Sequence, residues 1–318
     1  MTQPPRKPRG LKGKQGRNPL PENLPRELDR QLVPADQRTC AECGAEKRTI
    51  GYLSSEILEF VPAHFKVIEQ MREKIACPAC ESGVQIAESQ KVMDRGRPGP
   101  GLLAHILVSK HADALPLYRQ SQIYDRYGVH IPDATLGEWC AFAIDVMRPM
   151  AQLIARCALA SPYIHLDDTT LRVQDRKNPK GIKKGRLWCL VGDSPYVAFF
   201  YAPDRTKLHQ ATTYAINQRR YFERCFADGR FEIDNGEAER QIRPLKLGEK
   251  NYLFAGSENG AADIAIARTI INTCHRSGTD PLAYLTDVLA KLQRGWPKSR
   301  IEELLPDRWN TARSAKAA

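Results

Sequence analysis

The chain has 318 residues, of which 42% are hydrophobic, so it can bury a substantial core and is long for one domain. No run of about 18 apolar residues occurs, which argues against a membrane span. The net charge of +11 and a pI near 9.2 favour polyanionic partners.

The first twenty residues contain Arg6, Lys7, Arg9, Lys12, Lys14 and Arg17 and no acid. With Pro and Gly between these cations, residues 1–38 read as a basic disordered arm. Such an arm suits nucleic-acid phosphates; a solubilising tail is the alternative. The stretch lacks the apolar region of a secretory signal, so a cytoplasmic location is expected.

Residues 39–92 read as a small zinc-binding β domain. Cys40 and Cys43 form one C-x2-C pair, and Cys77 and Cys80 form a second after 33 intervening residues. Each pair can grip one tetrahedral Zn2+, and together they make a structural four-cysteine site. The gap exceeds the usual spacing, but "RTIGYLSSEILEFVPAHFKVIEQMREKIA" reads as two or three strands that would bring the pairs together. Cys140, Cys157, Cys189, Cys225 and Cys274 are scattered and read as core residues.

Residues 93–160 read as helical. "DRGRPGPG" is a linker, and apolar residues then recur at three- and four-residue spacing. A helix ending near Tyr127 and another from about Asp133 make a helix-turn-helix-like pair, a pattern any helical hairpin shares.

At residue 163 the period changes. "YIHLDDTTLRVQ", "GRLWCLVGD" and "YVAFFYAPDR" predict three antiparallel strands in a meander, the first two joined by the basic turn "DRKNPKGIKK". Asp167 and Asp168 lie in the first strand and face opposite ways. Residues 206–229 return to a helical period. In "RFEIDNGEAERQIRPLKLGEKNYLFAGS", Asp234 and Asn235 are expected to cap a helix that Pro244 stops after about two turns. A capped surface helix and one wall of a metal site both fit it. Helices are expected at about 261–276 and 281–294, with Gly278 and Gly295 at their ends.

The order of the C-x2-C pairs, "LDDTTLRV", "GRLWCLVGD", "EIDNGEAERQIRPLKLGEKNYLFAGSENG" and "DPLAYLTDVLAKL" closely resembles the transposases of the insertion sequence 66 family, over residues 18–308. The resemblance implies an α/β multi-domain protein: a small zinc-binding β domain, a helical region, a truncated ribonuclease-H-like core (161–254) and C-terminal helices (255–318). It implies an Asp-Asp-Glu triad, catalytic Mg2+ and strand cleavage and transfer on insertion-sequence ends. The DNA ends are the implied partner, with a homo-oligomer or accessory transposition proteins, and no membrane. Carried over by position, the first acid is Asp167 and the glutamate is Glu239. Arg243 lies one turn on, placed to pair with Glu239 or touch phosphate.

The chain departs from the family pattern at the second Asp. No matching segment exists, and neither Asp193 nor Asp204 takes its place. The stretch between Thr206 and Asp234 is too short for a helix plus a crossover and a parallel strand. The leading helical region of the family is also missing. The expectation is an internally deleted transposase, inactive as a single chain; the alternative is a DNA-binding remnant that regulates or competes with transposition.

Overall fold

The computed structural model describes residues 20, 22, 24–61, 64–80, 83–89, 93, 96–203, 235–252 and 254–317. The cations Arg6 to Arg17, and also Asp204, Cys225 and Asp234, lie outside them. Two sheets and a layer of helices make up the described part. The first sheet contains β1 (Arg26–Gln31), β2 (Arg48–Val61), β3 (His64–Ala76) and β4 (Gln85–Ile86). β2 and β3 form one long antiparallel hairpin from Arg48↔Ala76 to Val61↔His64, and β1 pairs with β3 in parallel.

β1 corrects the reading of residues 1–38 as a disordered arm. Leu20 and Leu24 are buried in the main core, and Val33 is buried against Ile75 and Ala87. The charge of the first twenty residues is a poor guide to the next eighteen, where apolar residues recur in "LPENLPRELDRQLV" and find a sheet edge to cover.

The helices follow. α1 (Pro100–His111), α2 (Leu117–Arg126) and α3 (Asp133–Leu159) come first. α1 and α2 part at Ala112–Pro116, where Ala114 takes φ 55°. α3 is a core helix, burying Leu136, Ile144, Met147 and Ile154 among others. The exposed positions of its first two turns include Asp133 and Glu138, which suit a phosphate-reading helix poorly. The second sheet is β5 (Ile164–Gln174), β6 (Ile182–Gly192) and β7 (Val197–Ala202), antiparallel in the order β5-β6-β7. Then come α4 (Gly236–Tyr252), α5 (Glu258–Arg276), α6 (Pro281–Gln293) and α7 (Pro306–Ala317), with a 3-10 turn at Lys298–Leu304. Gly278 and Gly295 follow α5 and α6 with positive φ, as helix-ending glycines do.

Pro244 does not stop α4, which runs eight residues beyond it. The ring is exposed, so the carbonyl left without its N–H faces solvent. The buried stripe Ala238, Ile242, Leu245 and Gly248 continues across it. Packing of that stripe against Leu171, Val173, Leu187 and Val197 outweighs the local penalty.

The expected regions do not own separate cores. Leu58, Phe65 and Val67 of the hairpin share one cluster with α1, α3, α5, α6 and Trp309. The hairpin also docks through its backbone: Leu58 N–H donates to Arg97 O at 2.7 Å, and Gly99 N–H to Leu58 O at 3.0 Å. The Glu59 carboxylate fills the space a Cβ would need at Gly99 and at Gly101, beside the start of α1. There it meets the positive end of the helix dipole.

His111, at the end of α1, is fully enclosed. Burial drives its pKa well below the ordinary value, with Lys110 and Arg268 adding to the effect. Its Nε2 lies 3.9 Å from Cys140 Sγ. The folded state therefore holds a neutral ring, whereas the unfolded chain protonates it near pH 6.5. Stability is complete above that pH and falls below it, by up to about 1.4 kcal/mol per pH unit. Thermal melts at pH 7 and pH 5 are expected to show the drop, and His111→Gln should flatten it. An equal drop in that variant would assign the effect to other groups.

Candidate functional site

The metal centre is built from the base of the β2–β3 hairpin. Cys77 follows the last residue of β3, and the Arg48↔Ala76 pairing brings that point beside the Cys40–Cys43 knuckle. The knuckle turns at Gly44, with φ 69°, and Gly44 N–H donates to Cys40 O at 2.9 Å. The four sulfur atoms all lie within 4.8 Å of one another. Cys40 Sγ is 3.8 Å and Cys43 Sγ 3.7 Å from Cys80 Sγ, and Cys43 Sγ is 3.0 Å from Cys77 Sγ. A tetrahedral zinc with Zn–S near 2.3 Å needs sulfur pairs about 3.8 Å apart, so the set fits a structural Zn2+.

The thiols are already biased toward metal binding. Backbone N–H groups of Cys43 and Glu42 lower the Cys40 pKa. The hydrogen bond from Cys43, with help from the Cys80 N–H, takes Cys77 down to about 6; the same bond pushes Cys43 up to about 12. One proton is thus shared by two sulfurs, and a cation would displace it. Behind the site, buried Glu73 accepts from Val33 N–H at 3.0 Å, from the Thr49 hydroxyl and from Arg38. Burial pushes its carboxyl up, but these donors outweigh that and hold it below its usual value. Glu73 thereby ties β1's exit, the first knuckle and both hairpin strands together.

The acids lie on the second sheet. Asp167 shares its face of β5 with buried Thr169, Leu171 and Val173, the face α4 covers. Its Oδ1 accepts from Asp168 N–H at 2.8 Å. It opposes Cys189, whose thiol is pushed up first by burial and then by the Asp167 charge. Asp168 faces the other way and pairs with Arg186 at 2.5 Å.

α4 begins beside Asp167, but not by the capping expected of Asn235. The Asn235 amide donates to Leu166 O at 3.0 Å, tying the helix start to β5. Glu239 is exposed in the first turns of α4. The Glu239–Arg243 pair does not form: among the described residues neither makes an ion pair. Glu237 takes the guanidiniums instead, Arg240 at 2.8 Å and Arg276 at 2.7 Å, as the surface-helix alternative with ion pairs has it. The Arg240 hydrogen bond and both charges lower its carboxyl pKa. Its position at i−3 from Arg240 is the spacing at which helix ion pairs form. Among the described residues, the four cysteines are the only group of three or more side chains close enough to hold one metal. Asp167 and Glu239 form no such group, so the described acids do not fit a complete Mg2+ site.

The outer edge of β5 is occupied at several points. Leu166 O takes the Asn235 amide, Asp168 N–H the Asp167 carboxylate, and Thr170 O the Lys246 ammonium at 2.5 Å. Ala255 bridges in parallel, donating to Arg172 O at 2.7 Å and accepting from Gln174 N–H at 2.8 Å.

A zinc knuckle ahead of a helical core, an acid-bearing meander and the long "IDNGEAER" signature are matched by known proteins. The Transposase IS66 family pattern matches residues 95–210 and 205–263. The zinc-finger binding domain of transposase IS66 matches 37–81, and the IS66 C-terminal element 269–306. The chain belongs to the IS66 transposase family. Among its relatives in Sinorhizobium fredii (strain NBRC 101917 / NGR234), the uncharacterized protein y4qI is 28% identical over 405 residues, covering 87% of this chain and 74% of y4qI. The uncharacterized protein y4hP is 26% identical over 436 residues, covering 94% of this chain and 78% of y4hP. Both alignments are longer than this 318-residue chain, so each relative carries residues that face a gap in it. No helix among the described residues is long and apolar enough to cross a membrane.

Proposed function

We propose that this protein is an internally shortened transposase that binds insertion-sequence DNA through its basic arm and zinc module but lacks the full acid set for strand cleavage and transfer. In this reading Asp167 and Glu239 are what remains of an Asp-Asp-Glu site that would hold Mg2+, on a truncated ribonuclease-H-like sheet. Arg243, exposed one turn beyond Glu239, is free to meet a phosphate. Arg6, Lys7, Arg9, Lys12, Lys14 and Arg17 supply sequence-independent contacts to the DNA backbone.

The observation that carries the reading is where the family pattern divides. Its two matched stretches meet at residues 205–210, just past β7, and the alignments to the relatives are longer than the whole chain. In this reading the missing residues fall there, where a strand bearing the second Asp would lie. Two-metal phosphoryl transfer needs carboxylates on both the attacking and leaving sides, and losing a bridging ligand removes one ion. The occupied edge of β5 argues against a second copy, or an accessory protein, restoring the strand. The complete sulfur set beside the incomplete acid set favours a surviving DNA-binding role, as a regulator or competitor of transposition.

Purified protein is expected to bind duplex DNA carrying an element's terminal repeats, with affinity falling steeply as salt rises. With Mg2+ it is expected not to nick that DNA. Specific nicking that disappears in Asp167→Asn would overturn the inactivity reading and require another acid, Asp193 or Asp204 first, to fill the gap.

A further inference from the structure

The β5–β6 hairpin is the most cationic ordered feature outside the sites above. From Arg172 to Arg186 inclusive there are seven Lys and Arg residues and one acid, Asp175. Two of the cations are engaged: Lys183 pairs with Glu258, and Arg186 with Asp168. The side chains of Arg172, Arg176, Lys177, Lys180 and Lys184 are exposed and make no ion pair or hydrogen bond among the described residues. Asp175 offsets one of these charges, and its carboxylate also accepts from Lys177 N–H at 3.0 Å to shape the turn.

The turn itself is built rather than loose. Asp175 N–H donates to Gly181 O at 2.9 Å, Asn178 N–H to Asp175 O at 3.1 Å, and Gly181 N–H to Asn178 O at 2.8 Å. Asn178 Oδ1 accepts from Lys180 N–H at 3.0 Å, and Gly181 supplies the positive φ of 69°. Arg172 and Lys184 are cross-strand partners, and like charges gathered on one turn repel one another, a repulsion that a polyanion relieves. A fixed turn also orders the backbone that carries these cations, so less loop entropy is lost on binding.

The hairpin extends from the two strands that carry Asp167 and Cys189. From Asp167 to Gln174, the end of β5, is about 23 Å along the strand at ~3.3 Å per residue. That spans about seven base pairs of duplex at ~3.4 Å each.

We propose that this hairpin is a second DNA contact, separate from the N-terminal arm, in which Arg172, Arg176, Lys177, Lys180 and Lys184 bind the phosphate backbone of duplex DNA. The inference rests on the DNA-binding reading above, and the test separates the two. Full-length protein is titrated with a fluorescent duplex at several salt concentrations, and log Kobs is plotted against log salt. The combined variant Arg176→Ser, Lys177→Ser, Lys180→Ser is compared with Arg6→Ser, Lys7→Ser, Arg9→Ser and with a control, Arg294→Ser, Lys298→Ser. The hairpin variant should flatten the slope by about 2.7, at ~0.9 per lost phosphate contact, with an unchanged melting curve. The control should match the unsubstituted protein. A slope unchanged in the hairpin variant but flattened in the arm variant would overturn the hairpin contact and leave DNA binding intact. Equal flattening per charge in the control would also overturn it, as a general charge effect. No salt-dependent binding by the unsubstituted protein would overturn the DNA-binding reading itself.

Discussion

Cys77→Ser is expected to abolish stoichiometric zinc and to unfold the base of the hairpin. The unsubstituted protein should carry one zinc per chain by metal analysis. Structural zinc is worth roughly 10–16 kcal/mol in small metal-folded peptides, because the ligands are not assembled in the unfolded chain. Here the assembly joins segments 33 residues apart, so the ion also closes a loop. Cys77 is the thiol with the most depressed pKa of the four and the partner of the closest sulfur pair, so its loss leaves Cys43 without its neighbour. Buried Glu73, Val33 and Ile75 lie directly behind and should become accessible to solvent, which hydrogen exchange would report. Cys140→Ser, far from the cluster, should keep its zinc. Full zinc occupancy in Cys77→Ser would rule out the four-sulfur site.

Phe65→Ala is expected to cost about 3–5 kcal/mol, the range for removing a fully buried aromatic ring. Phe65 belongs to β3 but is 1% exposed in the main core. Its ring meets Tyr124 edge-on at 5.1 Å and Tyr127 at 6.3 Å. Tyr124 is itself enclosed and hydrogen-bonds Gln120, so it cannot swing into the vacated space without losing that bond. The melting temperature should fall on the order of 10 °C. Zinc content should stay at one per chain, since the sulfur cluster lies at the opposite end of the hairpin. The unsubstituted protein should melt in one transition, because hairpin and helices share a core. A drop of under about 2 °C would mean that the zinc module and the helical region are independent bodies.

Much of this was legible in the residues, and the reasons differ by element. The two C-x2-C pairs carry their chemistry in their spacing, and β-branched and aromatic residues between them announce the strands. The meander could be read because its turns are short and its strands alternate. α4 was misread at Pro244 because a proline's local cost is visible in a sequence, whereas the sheet that absorbs it through Leu245 and Gly248 is not. β1 was missed because its partner, β3, lies about forty residues away, and parallel pairing leaves no turn to recognise. The side of β5 that Asp167 faces follows from Leu171 and Val173 two and three pleats along. That Asn235 ties down a strand rather than capping its helix depends on a contact 69 residues distant, which no local rule contains.

The outer edge of β5 bears on aggregation. A strand that loses its neighbour usually exposes a row of amide and carbonyl groups on which strands of other molecules can stack into aggregates. Asn235, Lys246, Asp167 and Ala255 occupy five such groups, and Lys246 adds a charge that a stacking strand would have to desolvate. With these five groups engaged, the edge offers a strand of another molecule few backbone partners on which to stack into fibrils.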